Sequence, residues 1–273
     1  MIIPEFSREF QAEIDSLATE AHTLRVQSAQ LYTQAQQTLN DAIGFNPAEI
    51  SQKNTAVKSF SQAFSAGRLD AEYFMPKYED YSRIVNSYKD GCATIGSLFT
   101  QITTRCPRTE PSYRYVEIGD INTSTGAATP NEIETGDLPD NAKIMTKHGD
   151  IVVSKVRPNR GAVAILEDDN LLVSGAFTVL REKTGYRREV LQVLLRTEIY
   201  RNWLLRFNVG TSYPVIKDND VLGLPVPLFD EETQKNISDR VKKSFALRKE
   251  AEQLIAHAVK SVELAIEDNT PSR

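Results

Sequence analysis

The sequence has little of what catalysis, metal binding or membrane insertion draws on. No lysine stands in the Gly-Lys-Ser/Thr context of a phosphate-cradling loop. None follows an acidic residue at the two-position offset with which many nucleases hold a metal. No two prolines are adjacent, which removes the amino-methyltransferase motif of Asp or Asn, two prolines and an aromatic. The 273 residues include only two cysteines, Cys92 and Cys106, without metal-ligand spacing. Of three histidines, His22 and His257 fall on long helical stretches, where a surface position is expected, and His148 falls in a turn. No run is apolar enough to cross a membrane and no secretory leader is read, so the expected compartment is the reducing cytoplasm. These absences exclude the usual catalytic classes and leave binding as the expected task, with no cofactor and no metal on this chain.

What is present is one stretch written twice. Residues 3–43 and 226–266 align without a gap at a constant offset of 223, with 12 identities in 41 positions. The identical pairs include Pro4/Pro227, Phe6/Phe229, Gln11/Gln234, Ile14/Ile237, Leu24/Leu247, Leu31/Leu254 and Ala35/Ala258. An internal repeat dictates architecture before any local feature does. Each copy carries a seam at alternating steps of three and four, the spacing of a packing helix. In the first copy the seam is Ile14, Leu17, Ala21, Leu24, Ser28, Leu31, Ala35, Thr38 and Ala42; in the second it is Leu247, Ala251, Leu254, Ala258, Ser261 and Ala265. Large residues alternate with small ones, so two such helices can approach closely. Leu17, Leu24, Leu31, Leu247 and Leu254 are the expected helix-pairing residues. Ser7 and Asp230 are the expected N-caps, and Gly44 before Asn46-Pro47 is the expected stop of the first copy. Two matching helices that enter and leave one domain lie naturally antiparallel, as a coiled-coil hairpin.

The net charge of −5 is unevenly placed. Residues 1–50 carry −5 and residues 226–273 carry −1, while residues 51–225 carry +1. The middle block is expected to be an α+β domain. A polar connector at 46–67 leads to a short helix from Pro76 through Val85. Strand-like runs follow at 93–99, 113–118, 143–146, 150–156, 161–166 and 171–181, then one helix from Arg188 to Phe207. The divisions are therefore 1–45, 46–225 and 226–273. Three loops in the middle block hold side chains suited to nucleic acid, because Arg and Asn match base edges and Lys matches phosphates. The first holds Lys155, Arg157, Asn159 and Arg160; the second holds Arg206, Asn208, Thr211, Ser212, Tyr213 and Lys217; the third holds Arg105, Arg108, Tyr113 and Arg114. Double-stranded DNA is the expected partner, and no membrane.

Several segments, in order, resemble the specificity subunits of type I restriction-modification systems. These are RLDAEYFMPKY (68–78), YVEIGDIN (115–122), GDIVVSKVRPNRGAVAIL (149–166) and GTSYPVIKDNDVLGLPVPLFDEETQ (210–234). The resemblance implies one target recognition domain that reads one half of a bipartite site without catalysis. It implies helices that dock methyltransferase subunits, which bring S-adenosylmethionine, and restriction subunits that join the complex. Members of that family usually carry two recognition domains, whereas one is present in this sequence, so a half, split or truncated form is expected, completed by a second copy or a second specificity half. Two other readings stand beside it: a helical-hairpin adaptor that binds protein, and the recognition fragment of a fused methyltransferase-nuclease.

Overall fold

A computed structural model describes residues 6–209 and 213–268. The chain forms two compact units: Met1–Ala35 with Asp239–Arg273, and Gln36–Ser238.

The first helix, α1 (Arg8–Ile43), and the last, α8 (Glu231–Asp268), begin with the same device. Ser7 Oγ accepts from Phe10 N at 3.2 Å, and Asp230 Oδ1 accepts from Thr233 N at 2.8 Å. Both side chains satisfy donors that the first turn of a helix leaves without partners. The repeated Phe/Gln pairs extend the device. Gln11 Nε2 donates to the Phe6 carbonyl and Gln234 Nε2 to the Phe229 carbonyl, each at 2.8 Å. Helix α1 ends at Gly44, whose φ of +71° permits Phe45 N to donate back to Asn40 O at 3.0 Å.

In the smaller unit the two helices run antiparallel, and small residues set their approach. Ser28 Oγ donates to the Ser244 carbonyl and Ser244 Oγ to the Ser28 carbonyl, both at 2.8 Å, with both residues buried. One heptad back along α1 and one heptad on along α8, that register sets Ala21 opposite Ala251, and each is fully buried. Leu17, Leu24, Leu31, Leu247 and Leu254 lie half-buried along the same seam. Under the repeat offset Ala21 corresponds to Ser244 and Ser28 to Ala251. The two small-residue layers therefore exchange about a pseudo-two-fold axis that passes beside Leu24 and Leu247, and the sequence duplication is a symmetry of the hairpin.

The larger unit contains, in order, α2 (Phe60–Ala66), α3 (Pro76–Asn86), β1 (Cys92–Thr94), α4 (Ile95–Leu98), β2 (Phe99–Gln101) and β3 (Ser112–Val116). Next come β4 (Asn131–Glu134), β5 (Ala142–Met145), β6 (Ile151–Ser154), β7 (Val163–Ile165), β8 (Leu172–Ser174) and β9 (Phe177–Glu182). Helices α5 (Arg188–Leu195), α6 (Glu198–Leu205) and α7 (Asp218–Leu222) precede β10 (Pro225–Pro227). One sheet has the order β2-β9-β6-β7, all antiparallel; a second has the order β4-β3-β8-β5, in which β3 and β8 are parallel. Strands β1 and β10 pair as a separate ladder. The fold is α+β, with long helices at both ends of the sequence flanking the β-rich part.

Several segments depart from the sequence expectation, among them 93–99, expected as one strand, which is β1, α4 and β2 in turn. The run 171–181 is two strands, because Gly175 N donates to Asn141 O at 2.7 Å and the chain leaves one sheet for the other there. The helix expected over 188–207 breaks at Arg196–Thr197. Arg196 Nη2 reaches away to the Thr123 carbonyl at 2.7 Å, and Thr197, extended at ψ 158°, restarts the chain as α6. The connector 46–67 holds α2, closed at its start by reciprocal bonds between Ser59 and Gln62 and at its end by Gly67.

The core between the sheets is built from Val116, Ile121, Val152, Ala164, Leu166, Val173, Phe177 and Val179, all buried. All four residues of β6 are buried, which is why its sequence is apolar without alternation. Just before β6, Asp150 is fully buried and accepts from Arg181 Nε and Nη2 at 2.7 Å each, and from Lys147 N at 2.8 Å. This bidentate pair fastens the entry of β6 to β9.

Candidate nucleic-acid interface

Strand β6 delivers its chain into a short turn at Pro158–Arg160, bounded by two left-handed residues: Arg157 at φ 47° and Gly161 at φ 73°. A left-handed arginine costs about 1–2 kcal/mol and persists only where its surroundings hold it. Here a second segment does so. Val156 bridges Val215, Ile216 N donates to Lys155 O at 2.9 Å, and Arg157 N donates to Pro214 O at 2.8 Å. The Arg157 guanidinium lies 4.3 Å from the centre of the Tyr213 ring, a cation–π contact that adds to the hold. Two loops separate in sequence thus form one ledge. Pro158 is buried beneath it, while Asn159 and Arg160 are exposed. Neither side chain has a hydrogen-bond or ionic partner among the described residues.

Beside the ledge is a concavity of about 480 Å³. Tyr115, Glu117, Asn141, Arg157, Arg160 and Tyr213 supply its polar groups, with Ile118, Ile121, Val156 and Ala162 among its apolar lining. Burial pushes the Tyr115 phenol above its ordinary range, against a weaker opposing effect of its hydrogen bond with Ser174. It therefore remains a neutral hydroxyl at pH 7. Arginine and asparagine donors beside an apolar, aromatic-lined hollow match a nucleic-acid edge and its ridges. Among the described residues there is no group of three or more His, Cys, Asp or Glu placed to hold a metal.

The sequence-derived residues divide into three sets. Arg157, Asn159, Arg160 and Tyr213 come together on the ledge. Lys155, Arg206 and Asn208 are each engaged within the protein. Lys155 Nζ pairs with Asp218 at 3.1 Å, Arg206 Nε donates to the Tyr73 carbonyl at 3.3 Å while its guanidinium covers the Tyr73 ring at 4.5 Å, and Asn208 Oδ1 accepts from Val215 N at 3.1 Å. Arg105, Arg108 and Arg114 belong to a different place and do not line the concavity. Arg105 bridges Ile144 through its backbone, Arg108 Nη2 donates to the Pro139 carbonyl at 2.9 Å, and Arg114 pairs with Asp168 at 2.8 Å. Thr211 and Ser212 lie outside the described residues. Sequence reasoning missed Tyr115, Glu117 and Asn141. The stretch Tyr115–Asn122 carried a family likeness but none of the charge that marks a DNA-facing loop; Asn141 carried no local signal.

No family model matches the chain. The specificity subunit of the type I restriction enzyme HindI from Haemophilus influenzae is 34% identical over 109 residues, which are 38% of this chain and 24% of that protein. A solved chain from work on complex assembly and conformational transition of the type I R-M system superposes with a TM-score of 0.50 at 27% identity, covering 65% of this chain and 47% of that one. The HsdS subunit from Thermoanaerobacter tengcongensis gives a TM-score of 0.48 at 27% identity with the same coverage. The chain thus spans about a quarter of the curated relative and just under half of the solved ones. In sequence over part of its length, and in fold, the chain is similar to the specificity subunits of type I restriction-modification systems.

Proposed function

We propose that the larger unit reads one half of a bipartite site in double-stranded DNA through the 157–160 turn and Tyr213, without catalysis of its own. The observation that carries this reading is the ledge. It presents Asn159 and Arg160 exposed and uncommitted among the described residues, on a turn held by buried Pro158, Gly161 and the Arg157–Tyr213 contact. Rigid presentation of Arg and Asn is what base-edge recognition asks of a protein, since a bidentate pair discriminates by about 1–3 kcal/mol only when its geometry is held. Lys155 and Arg206, which are already paired, are framework residues on this reading, and Arg114 is the better candidate for a phosphate contact because its ion pair is exposed.

The pseudo-symmetric hairpin supports a docking role toward methyltransferase subunits, which would carry S-adenosylmethionine; restriction subunits would join through the same complex. A second copy of this chain or a second specificity half would complete the bipartite site in the cytoplasm. The test is the methylome of cells carrying this chain with a cognate type I methyltransferase, against cells lacking this chain alone. Loss of one bipartite adenine-methylation motif on deletion is the expected result, palindromic if two copies act and asymmetric if a different companion does. An unchanged methylome refutes the reading.

A further inference from the structure

Three glycines of the β-rich unit have positive φ and lie directly against Arg188 of α5, Arg196 at the break between the helices and Arg201 of α6. A Cβ built on Gly126 would stand 1.9 Å from Arg196 Nη1, one on Gly149 would stand 1.8 Å from Arg188 Nη1, and one on Gly161 would stand 2.9 Å from Arg201 Cδ. The glycines sit in the loop after β3, the turn before β6 and the turn after β6. The positive φ at each position favours glycine; at Gly126 and Gly149 the crowding atom is the movable end of an arginine, whereas at Gly161 it is Cδ of the Arg201 stem. The helix pair acts as a template against which three loops are set.

Of the three arginines, Arg201 is the one packed under the 157–161 turn. Its Nε is buried without a hydrogen-bond partner among the described residues, a condition that costs about 1–3 kcal/mol. Arg196 is anchored to the Thr123 carbonyl and Arg188 to Glu189. Packed under Gly161, the aliphatic stem of Arg201 fixes the height of the turn from which Asn159 and Arg160 project.

We propose that Arg201 is a positioning residue that determines specificity: it holds the 157–161 turn in its reading geometry without touching a base. This rests on the proposed reading of DNA by that turn. The probes are the full chain, a duplex containing the methylation motif identified as above, and a scrambled duplex of equal length. Arg201→Ala is expected to lower the ratio of the two affinities by about tenfold or more, while affinity for the scrambled duplex changes by less than about twofold and its salt dependence is kept. Arg201→Lys retains the stem through Cδ and is expected to restore the ratio to within about threefold, given that framework contacts add little beyond packing. Thermal melting should show Arg201→Ala still cooperatively folded, the packing lost under Gly161 being partly offset by removal of an unpaired buried donor. An equal loss on both duplexes would overturn the proposal and make Arg201 a phosphate contact. An unchanged ratio with Arg201→Ala, beside a lowered ratio with Arg160→Ala, would overturn the positioning role alone. If neither variant lowers the ratio, the inference falls together with the reading on which it rests.

Discussion

The Asp150–Arg181 pair is the most consequential polar contact of the β-rich unit, and its two halves should not be equal. The Asp150 side chain is 1% exposed while that of Arg181 is 37% exposed. Arg181→Ala strands a buried carboxylate whose remaining acceptor bond is to Lys147 N; removing one partner of a buried pair costs about 3–5 kcal/mol. Asp150→Ala strands a guanidinium that can turn toward water, which limits its loss to about 2 kcal/mol, the value of hydrogen bonds to a charged group. The Arg181 guanidinium is held further into its charged range by the bonds to Asp150, so it remains a cation in either case. A unit of this size loses roughly 2–4 °C of melting temperature per kcal/mol. Melting followed by circular dichroism should therefore fall by roughly 6–20 °C for Arg181→Ala and roughly 4–8 °C for Asp150→Ala. The double variant should fall by less than the sum, because the pair acts as a unit. Equal losses, or a larger loss for Asp150→Ala, would refute the claim that carboxylate burial dominates.

Two further outcomes follow from packing and exposure. Ala21→Leu forces three extra carbons into the fully buried layer opposite Ala251 and should cost about 1–3 kcal/mol by overpacking, read from helical melting; the paired change Ala21→Ser with Ala251→Ser copies the Ser28–Ser244 layer under the pseudo-two-fold and should be tolerated to within about 1 kcal/mol. Arg114→Ala breaks an ion pair whose side chains are 48% and 45% exposed, so stability should change by less than about 1 kcal/mol, and if Arg114 meets a phosphate the slope of log affinity against log salt should shrink by about one, read from titrations at several salt concentrations.

The hairpin was legible because its determinants are local and periodic. Phe6 with Gln11 and Phe229 with Gln234 close the same capping bond five residues apart, and the burial of Ala21, Ser28, Ala251 and Ala258 follows from a seven-residue spacing that a sequence displays directly. The site was legible only by residue type. Lys155 and Arg160 look alike in the sequence, yet one is consumed by Asp218, 63 residues away, and the other is not. Arg108 and Arg157 share a left-handed backbone, yet the first spends its guanidinium on the Pro139 carbonyl and the second on the Tyr213 ring. The break of the expected helix at Arg196 has the same origin, since the Thr123 carbonyl that draws Arg196 away is 73 residues upstream. Charge in a loop is a local property, whereas its availability depends on which distant carboxylate or carbonyl the fold delivers. In a DNA-reading surface that distinction decides function. On the proposed reading, the framework residues Lys155 and Arg206 spend their charge within the protein, while Asn159 and Arg160 stay exposed on the turn.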